Sequence, residues 1–332
     1  MTTTTTTTRA LVGGLAPEWA YRDVEVPGPG PGQILVRVRL AALNRADLYM
    51  LAGTYSPNTK TSDVFTAGLE LAGEVEAVGT GVSTFAVGDR VMGAGLGAFA
   101  GHALIDHRHA LAVPASLSWT DAAALPVGLA TEHDALVTQG GFAAGERVLV
   151  VGATTGIGLI GVQLAKALGA GLVVATTTSD TKARTLREVG ADVVVNTMTD
   201  SLVEVVHGVT DGAGVDLVLD HIGGQLFAQL LSATRVRGSI VNIGRLGGAQ
   251  TTIDLDVVSF RRLRVQGTTF SVRTAEERGD VYAALATEVL PVVADGRVRP
   301  VVDRVFPFGA AHEAADYLRS GAPVGKLVLE MP

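Results

Sequence analysis

The segment Gly156-Ile157-Gly158-Leu159-Ile160-Gly161 constrains this chain more than any other. It follows the apolar, β-branched run Arg147-Val148-Leu149-Val150-Val151. It opens a helical pattern in which Ile160, Leu164 and Leu168 fall on one face. In that context G-x-G-x-x-G reads as a dinucleotide-binding turn. Glycines permit the tight turn and a close approach of backbone to a pyrophosphate, and the helix N-terminus adds unpaired N–H groups and a favourable dipole. The bland alternative is a glycine-rich turn that only packs a helix on a sheet; the strand before and the helix after favour the nucleotide.

The surrounding texture agrees. Beyond residue 121, β-branched runs at 148–151, 172–176, 193–195, 215–219 and 239–243 alternate with helical patterns, predicting a doubly wound parallel sheet. From Arg9 to about Ala115 the chain instead shows short alternating runs punctuated by Gly and Pro, at 33–40, 73–78 and 88–92. These predict a small, mostly antiparallel β domain. After Thr274 come a helix over 275–289, a strand over 301–305, a helix over 310–319 and a strand over 326–329. The last of these can return to the β domain, which spacing alone does not decide. The expected division is 1–120 with 300–332, and 121–299. The threonine run Thr2 to Thr8 reads as a frayed polar tail.

Composition removes whole classes of function. Lys and Arg total 26 against 33 Asp and Glu, a net charge of −7, so no basic face is expected for nucleic acid or an anionic membrane. The absence of Cys excludes disulfides, a thiol nucleophile and every Cys-containing zinc site. The longest apolar stretch, about 148–175, is interrupted by Gly152, Gly156, Gly158, Gln163, Lys166 and Gly169. A membrane helix needs ~20 nearly unbroken apolar residues. With no basic or apolar leader pattern after Met1, the expected compartment is the cytoplasm.

The second strand speaks to the choice of dinucleotide. NAD sites place an acid about 20 residues beyond the glycines, to bind the ribose 2′-hydroxyl. Here the strand ends in Thr176-Thr177-Thr178-Ser179-Asp180-Thr181-Lys182. Ser179 and Lys182 can offer a hydroxyl and a cation to a 2′-phosphate, which favours NADPH; alternatively Ser179 caps the next helix and Lys182 is solvated.

Several segments together resemble the zinc-independent quinone oxidoreductases of the medium-chain dehydrogenase/reductase superfamily. They are Asn44-Arg45-Ala46-Asp47-Leu48-Tyr49 running on to Gly53-Thr54-Tyr55, Gly68-Leu69-Glu70-Leu71-Ala72-Gly73, Gly88-Asp89-Arg90-Val91, Asp220-His221-Ile222-Gly223-Gly224 and Gly325-Lys326. The resemblance runs in one order over residues 9–332. It implies an α/β protein with a GroES-like, β-rich catalytic domain completed by the C-terminus and an inserted Rossmann domain, with NADPH in the cleft. Zinc-dependent members carry a Cys in the first of these segments and a His in a Gly-His-Glu triplet. This chain has Asn44 in the former region and Leu69 in the triplet, so no metal site is expected.

Without zinc there is no Lewis acid to polarise a carbonyl. The remaining chemistry is hydride attack on an already electrophilic carbon, in a quinone or in a C=C conjugated to a carbonyl. A phenol of pKa ~10 stays protonated at neutral pH and can donate to the developing oxyanion. The resemblance implies that Asn44 touches the cofactor, that Tyr49 and Tyr55 touch the substrate, and that Tyr55 matches the proton donor of related enoyl reductases. Each tyrosine also has a reading as a packed aromatic. Further cofactor contacts implied are Thr131, Thr154, Thr155, Gly156, Ile157, Gly158, Thr177, Gly244, Arg245, Leu246, Phe270, Ser271, Val272 and Lys326. Specificity is expected from the loops at 55–62 and 270–273. His102, Asp106, His107 and His109 lie close in sequence but in an expected strand and loop, not a metal set. Glu132-His133-Asp134 invites an acid/base reading but is expected to be partly solvated. The resulting expectation is an NADPH-dependent, zinc-free reductase of quinones or enones. A dedicated biosynthetic enoyl reductase and an NADPH-binding protein with little turnover are the alternatives. A homodimer is expected from the family, with the run 263–270 as an exposed sheet edge.

Overall fold

The computed structural model describes residues 6–15, 17–55 and 64–332. The chain divides into two compact units, 1–127 with 271–296 and 300–332, and 128–270 with 297–299. The segments 121–127 and 271–296 therefore group with the first unit, where the sequence boundaries had placed them in the second.

The second unit is built on a six-stranded, wholly parallel sheet. Its spatial order is Val193–Asn196, Leu172–Thr177, Arg147–Val151, Val215–Asp220, Thr234–Asn242 and Arg264–Gly267. Val148, Leu149, Val150 and Val151 are fully buried because helices cover both faces, which is why these strands read as unbroken apolar runs. The first strand in sequence lies in the middle. The chain runs outward from it to one edge, then crosses back to Val215–Asp220 on its other side. This reversal opens a crevice beyond the carboxyl ends of Arg147–Val151 and Val215–Asp220, the place where open α/β sheets bind ligands.

The first unit is dominated by a sheet of seven strands in which Gln33–Leu43 pairs antiparallel with Glu70–Val78, His102–Asp106 and Lys326–Glu330. Val302–Pro307 adds parallel to Lys326–Glu330, so the C-terminus does return to complete this sheet. Leu43 and Ala41 sit opposite Leu327 and Leu329. All four belong to one core with Ile34, Leu71, Phe99 and Phe306. The frayed-tail expectation fails at Thr7 and Thr8. Thr7–Gly13 is a strand paired with Ala20–Glu25, and Thr8 is buried. Alternating apolar residues further along that strand anchor the threonines that precede them. Residues 2–5 lie outside the described residues.

Candidate functional site

At the crevice, the backbone turns at Gly152 with φ +75°, a conformation glycine adopts without strain. Its N–H donates to the Thr176 hydroxyl at 2.9 Å, tying the turn to the adjacent strand. The Thr155 hydroxyl donates to Gly152 O and accepts from Gly158 N, at 3.0 and 3.1 Å. The helix Gly158–Ala167 then begins without a side-chain cap. A Cβ on Gly158 would lie 2.8 Å from the Gly152 oxygen, so no side chain can intrude there. The result is a bare-backbone turn leading into a helix N-terminus, which suits a diphosphate.

The other expected cofactor residues in this unit cluster by strand end. Thr177 closes Leu172–Thr177 and its hydroxyl accepts from Ser179 N at 3.1 Å. Ser179 occupies the N-cap position of Asp180–Glu188, yet its hydroxyl pairs with Thr181 at 2.7 Å instead of capping the helix. Lys182 lies in the first turn of that helix. Gly244, Arg245 and Leu246 follow Thr234–Asn242 and fold back on the loop after Val215–Asp220, with Gly247 N donating to Ile222 O at 2.7 Å. Phe270 follows the edge strand Arg264–Gly267 and Thr131 stands on the helix Pro126–His133. Ser271 and Val272 belong to the other unit.

That first unit gathers a buried polar cluster. Lys326 Nζ donates to Asn44 Oδ1 at 2.7 Å and is paired with the Glu70 carboxylate. Asn44 Nδ2 donates to Glu70 Oε1 at 2.8 Å, and Glu70 Oε2 accepts from Val127 N at 2.8 Å. Lys326 is only 3% exposed, and Glu70 is fully buried. Asn44 precedes the helix Arg45–Leu51, and its N–H donates to Asp47 Oδ2 at 2.7 Å, one half of a capping box. Burial pushes the Asp47 carboxyl up to about 7, with Glu70 adding to the shift and the Asn44 N–H and Lys326 opposing it. Asp47 Oδ1 has no hydrogen-bond partner among the described residues. Burial also raises the Tyr55 phenol, Asp47 adding to it and Arg278 opposing. Tyr49 is 42% exposed on its helix and is not a core aromatic. Pro57 and the rest of the loop 56–62 lie outside the described residues.

Lys326 and Asn44 thus spend their polar atoms on each other and on Glu70. Sequence reading passed over Glu70 and Asp47 as site residues, though each had a signal. Glu70 opens an apolar strand, and Asp47 stands three residues after an Asn at a helix start. The segment Glu132-His133-Asp134, singled out in the sequence, departs from its expected setting. Glu132, His133 and Asp134 are all buried, against the expected partial solvation, because the helix Pro126–His133 runs straight on into the turns Asp134–Gln139 inside the unit. Glu132 Oε1 meets His221 Nε2 at 2.6 Å, and Thr268 donates to Asp134 Oδ2 at 2.9 Å. His102, His107 and His109 each have a separate partner: Glu76, the Thr84 hydroxyl and the Ala275 carbonyl.

Residues 30–115 match the alcohol dehydrogenase GroES-like domain, and residues 156–287 match the zinc-binding dehydrogenase family. A quinone oxidoreductase of Pseudomonas aeruginosa is 31% identical, over 93% of this chain and 94% of that protein. Bovine prostaglandin reductase-3 is 32% identical over 94% of this chain and 84% of its own length. The structure of a mycobacterial protein complexed with NADPH superposes with a TM-score of 0.87 at 27% identity, covering 97% of this chain and 99% of that one. The zinc in the second family's description does not fit the donors present. The chain has no Cys, Leu69 precedes Glu70, and no three His, Asp or Glu side chains among the described residues converge as a metal set. The two matched domains in this order, the parallel sheet with its glycine turn and the likeness along nearly the whole chain lead to one conclusion: the chain belongs to the medium-chain dehydrogenase/reductase superfamily, on its quinone oxidoreductase-like branch.

Proposed function

We propose that this chain is an NADPH-dependent, zinc-free reductase of quinones or of the C=C of α,β-unsaturated carbonyl compounds. The observation that carries the reading is the end of Leu172–Thr177. No acid stands there to prefer a ribose hydroxyl, the Ser179 hydroxyl pairs with Thr181 and does not cap the helix backbone, and Lys182 follows in the first turn. The turn 152–158 would hold the diphosphate through backbone N–H groups and the Gly158 helix terminus. Bound NADPH supplies the hydride. On the protein side, the buried Lys326–Glu70 pair fixes Asn44 and orders the start of the helix that carries Tyr49. Tyr55, with its pKa held above that of a free phenol, stays protonated and donates to the substrate oxygen or carbon as charge develops. The bovine and Pseudomonas relatives, a prostaglandin reductase and a quinone oxidoreductase by name, support this substrate class.

The test is cofactor oxidation with simple quinones, enones and enoyl thioesters, using NADPH and NADH in parallel, together with the variant Lys182→Ala. NADPH should bind more tightly than NADH, and Lys182→Ala should weaken NADPH alone. Equal loss for both cofactors would remove the 2′-phosphate role. No turnover of any of the three substrate classes would remove the reductase.

A further inference from the structure

Glu132 and His221 are 89 positions apart in sequence and meet in the interior of the second unit, at 0% and 1% exposure. The Val151 carbonyl, at the very end of the strand before the phosphate-binding turn, lies 2.7 Å from His221 Nδ1. A carbonyl only accepts, so Nδ1 carries a proton. Nε2, 2.6 Å from Glu132 Oε1, then shares a single further proton with the carboxyl group. Whether that proton sits on nitrogen or on oxygen, the pair is neutral overall. That is the one arrangement that avoids a net charge on a buried pair. Burial alone would lower the His221 pKa, but the Glu132 carboxylate outweighs it and raises it, favouring the imidazolium form.

The pair also occupies an informative place. Val151 leads directly into Gly152. A Cβ on Gly152 would come within 3.4 Å of His221 Cβ. The His221 carbonyl is packed by the loop after Thr234–Asn242, where a Cβ on Gly244 would fall 2.4 Å from it. Glu132 follows Thr131 on its helix. Its Oε2, which has no hydrogen-bond partner among the described residues, lies against the helix after the turn, where a Cβ on Gly161 would fall 2.3 Å from it. Three segments that carry expected cofactor residues thus converge on one buried pair.

We propose that Glu132 and His221 form a one-proton dyad that positions the phosphate-binding turn. In this arrangement Gly161, the third glycine of the fingerprint, serves to admit the Glu132 carboxylate. The dyad touches no reacting atom; both are positioning residues, acting through Val151 and Gly161. The consequence for cofactor rests on the nucleotide-binding reading above, and the turn itself does not.

The experiment is run first without cofactor. Proton NMR of the intact chain should show a strongly deshielded exchangeable ring proton that is lost in Glu132→Met. Amide exchange at residues 152–158 should accelerate by about tenfold or more in Glu132→Met, yet stay near wild type in Glu132→Gln, whose amide can still donate to Nε2. A space-filling role would make these two variants alike, and that result overturns the dyad. Gly161→Ala should loosen the turn in the wild-type chain and do little more in the smaller Glu132→Ala background. Equal damage in both backgrounds refutes the role given to Gly161. NADPH titration is then added, with a loss of about tenfold expected for Glu132→Met. If the wild-type chain binds no NADPH while the exchange results hold, the cofactor reading fails and the dyad stands. If it binds NADPH and Glu132→Met alters neither exchange nor affinity, the dyad fails.

Discussion

At the scale of single residues, burial raises both Asp47 and Tyr55 and favours the neutral form of each. Burial keeps the Tyr55 phenol protonated at neutral pH, which the donor role proposed for it requires. Tyr55→Phe keeps the ring and removes only the hydroxyl. Enone turnover should fall by about 10²–10⁴ while NADPH affinity holds. Quinone reduction should suffer less, since water can protonate a hydroquinone oxygen. Unchanged enone turnover would demote Tyr55 to packing. Asp47 is an acid that burial makes reluctant to ionise, and the sign of its linkage follows. Its folded pKa of about 7 lies above the ordinary 3.8. Between those values the folded chain keeps a proton that the unfolded chain has lost. Its contribution to stability is therefore complete below pH ~4 and is lost as pH rises through ~7. Asp47→Asn keeps an acceptor for the Asn44 N–H and cannot ionise. Against wild type in urea melts, the variant should gain stability as pH rises from ~4 to ~8. A difference independent of pH would mean that Asp47 is ionised throughout.

At the scale of elements, the edge strand Arg264–Gly267 pairs with Thr234–Asn242 on one side and is exposed along its whole length. Val265 is 47% exposed, and on the preceding helix Leu255–Arg261 Phe260 is 78% exposed. An open strand edge with apolar neighbours is a surface that pairing would cover, and a two-fold axis lets it pair with itself. A dimer is expected by sedimentation, with Phe260→Glu plus Val265→Lys shifting it to monomer. A monomeric wild-type chain at micromolar concentration would defeat this. That strand was legible in the run 263–270, as was the rest of the parallel sheet, because strands buried on both faces are spelled as continuous apolar runs. Its lateral order was not legible, since nothing in Val193–Asn196 or Val215–Asp220 says on which side of Arg147–Val151 each will lie. The Gly156-Ile157-Gly158 turn was readable locally. The Glu132–His221 pair was not, because a carboxylate on a helix names no partner until tertiary packing brings a histidine from a distant strand end.

At the scale of the whole molecule, the question is whether metal chemistry survives in a chain that matches a family described as zinc-binding. The inventory of donors decides the expectation. Zinc is held by thiolates, imidazoles and carboxylates in a tetrahedron, and this chain has no Cys and seven His. Those imidazoles are already engaged in places scattered over the chain. His102 meets Glu76, His107 meets Thr84, and His109 meets the Ala275 carbonyl. His207, His221 and His312 meet the Ser232 carbonyl, Glu132 and the Trp19 carbonyl. Glu70, the carboxylate that follows Leu69, is neutralised by Lys326 and would have to give up that cation to bind another. Buried pairs of this kind are costly to break, because separation leaves an uncompensated charge in the interior. The purified chain should therefore hold no stoichiometric zinc by elemental analysis, and turnover should survive a strong chelator. One retained zinc per chain, with activity lost on chelation and restored by metal, would require the Lys326–Glu70 pair to open. The zinc-free mechanism would then have to be abandoned.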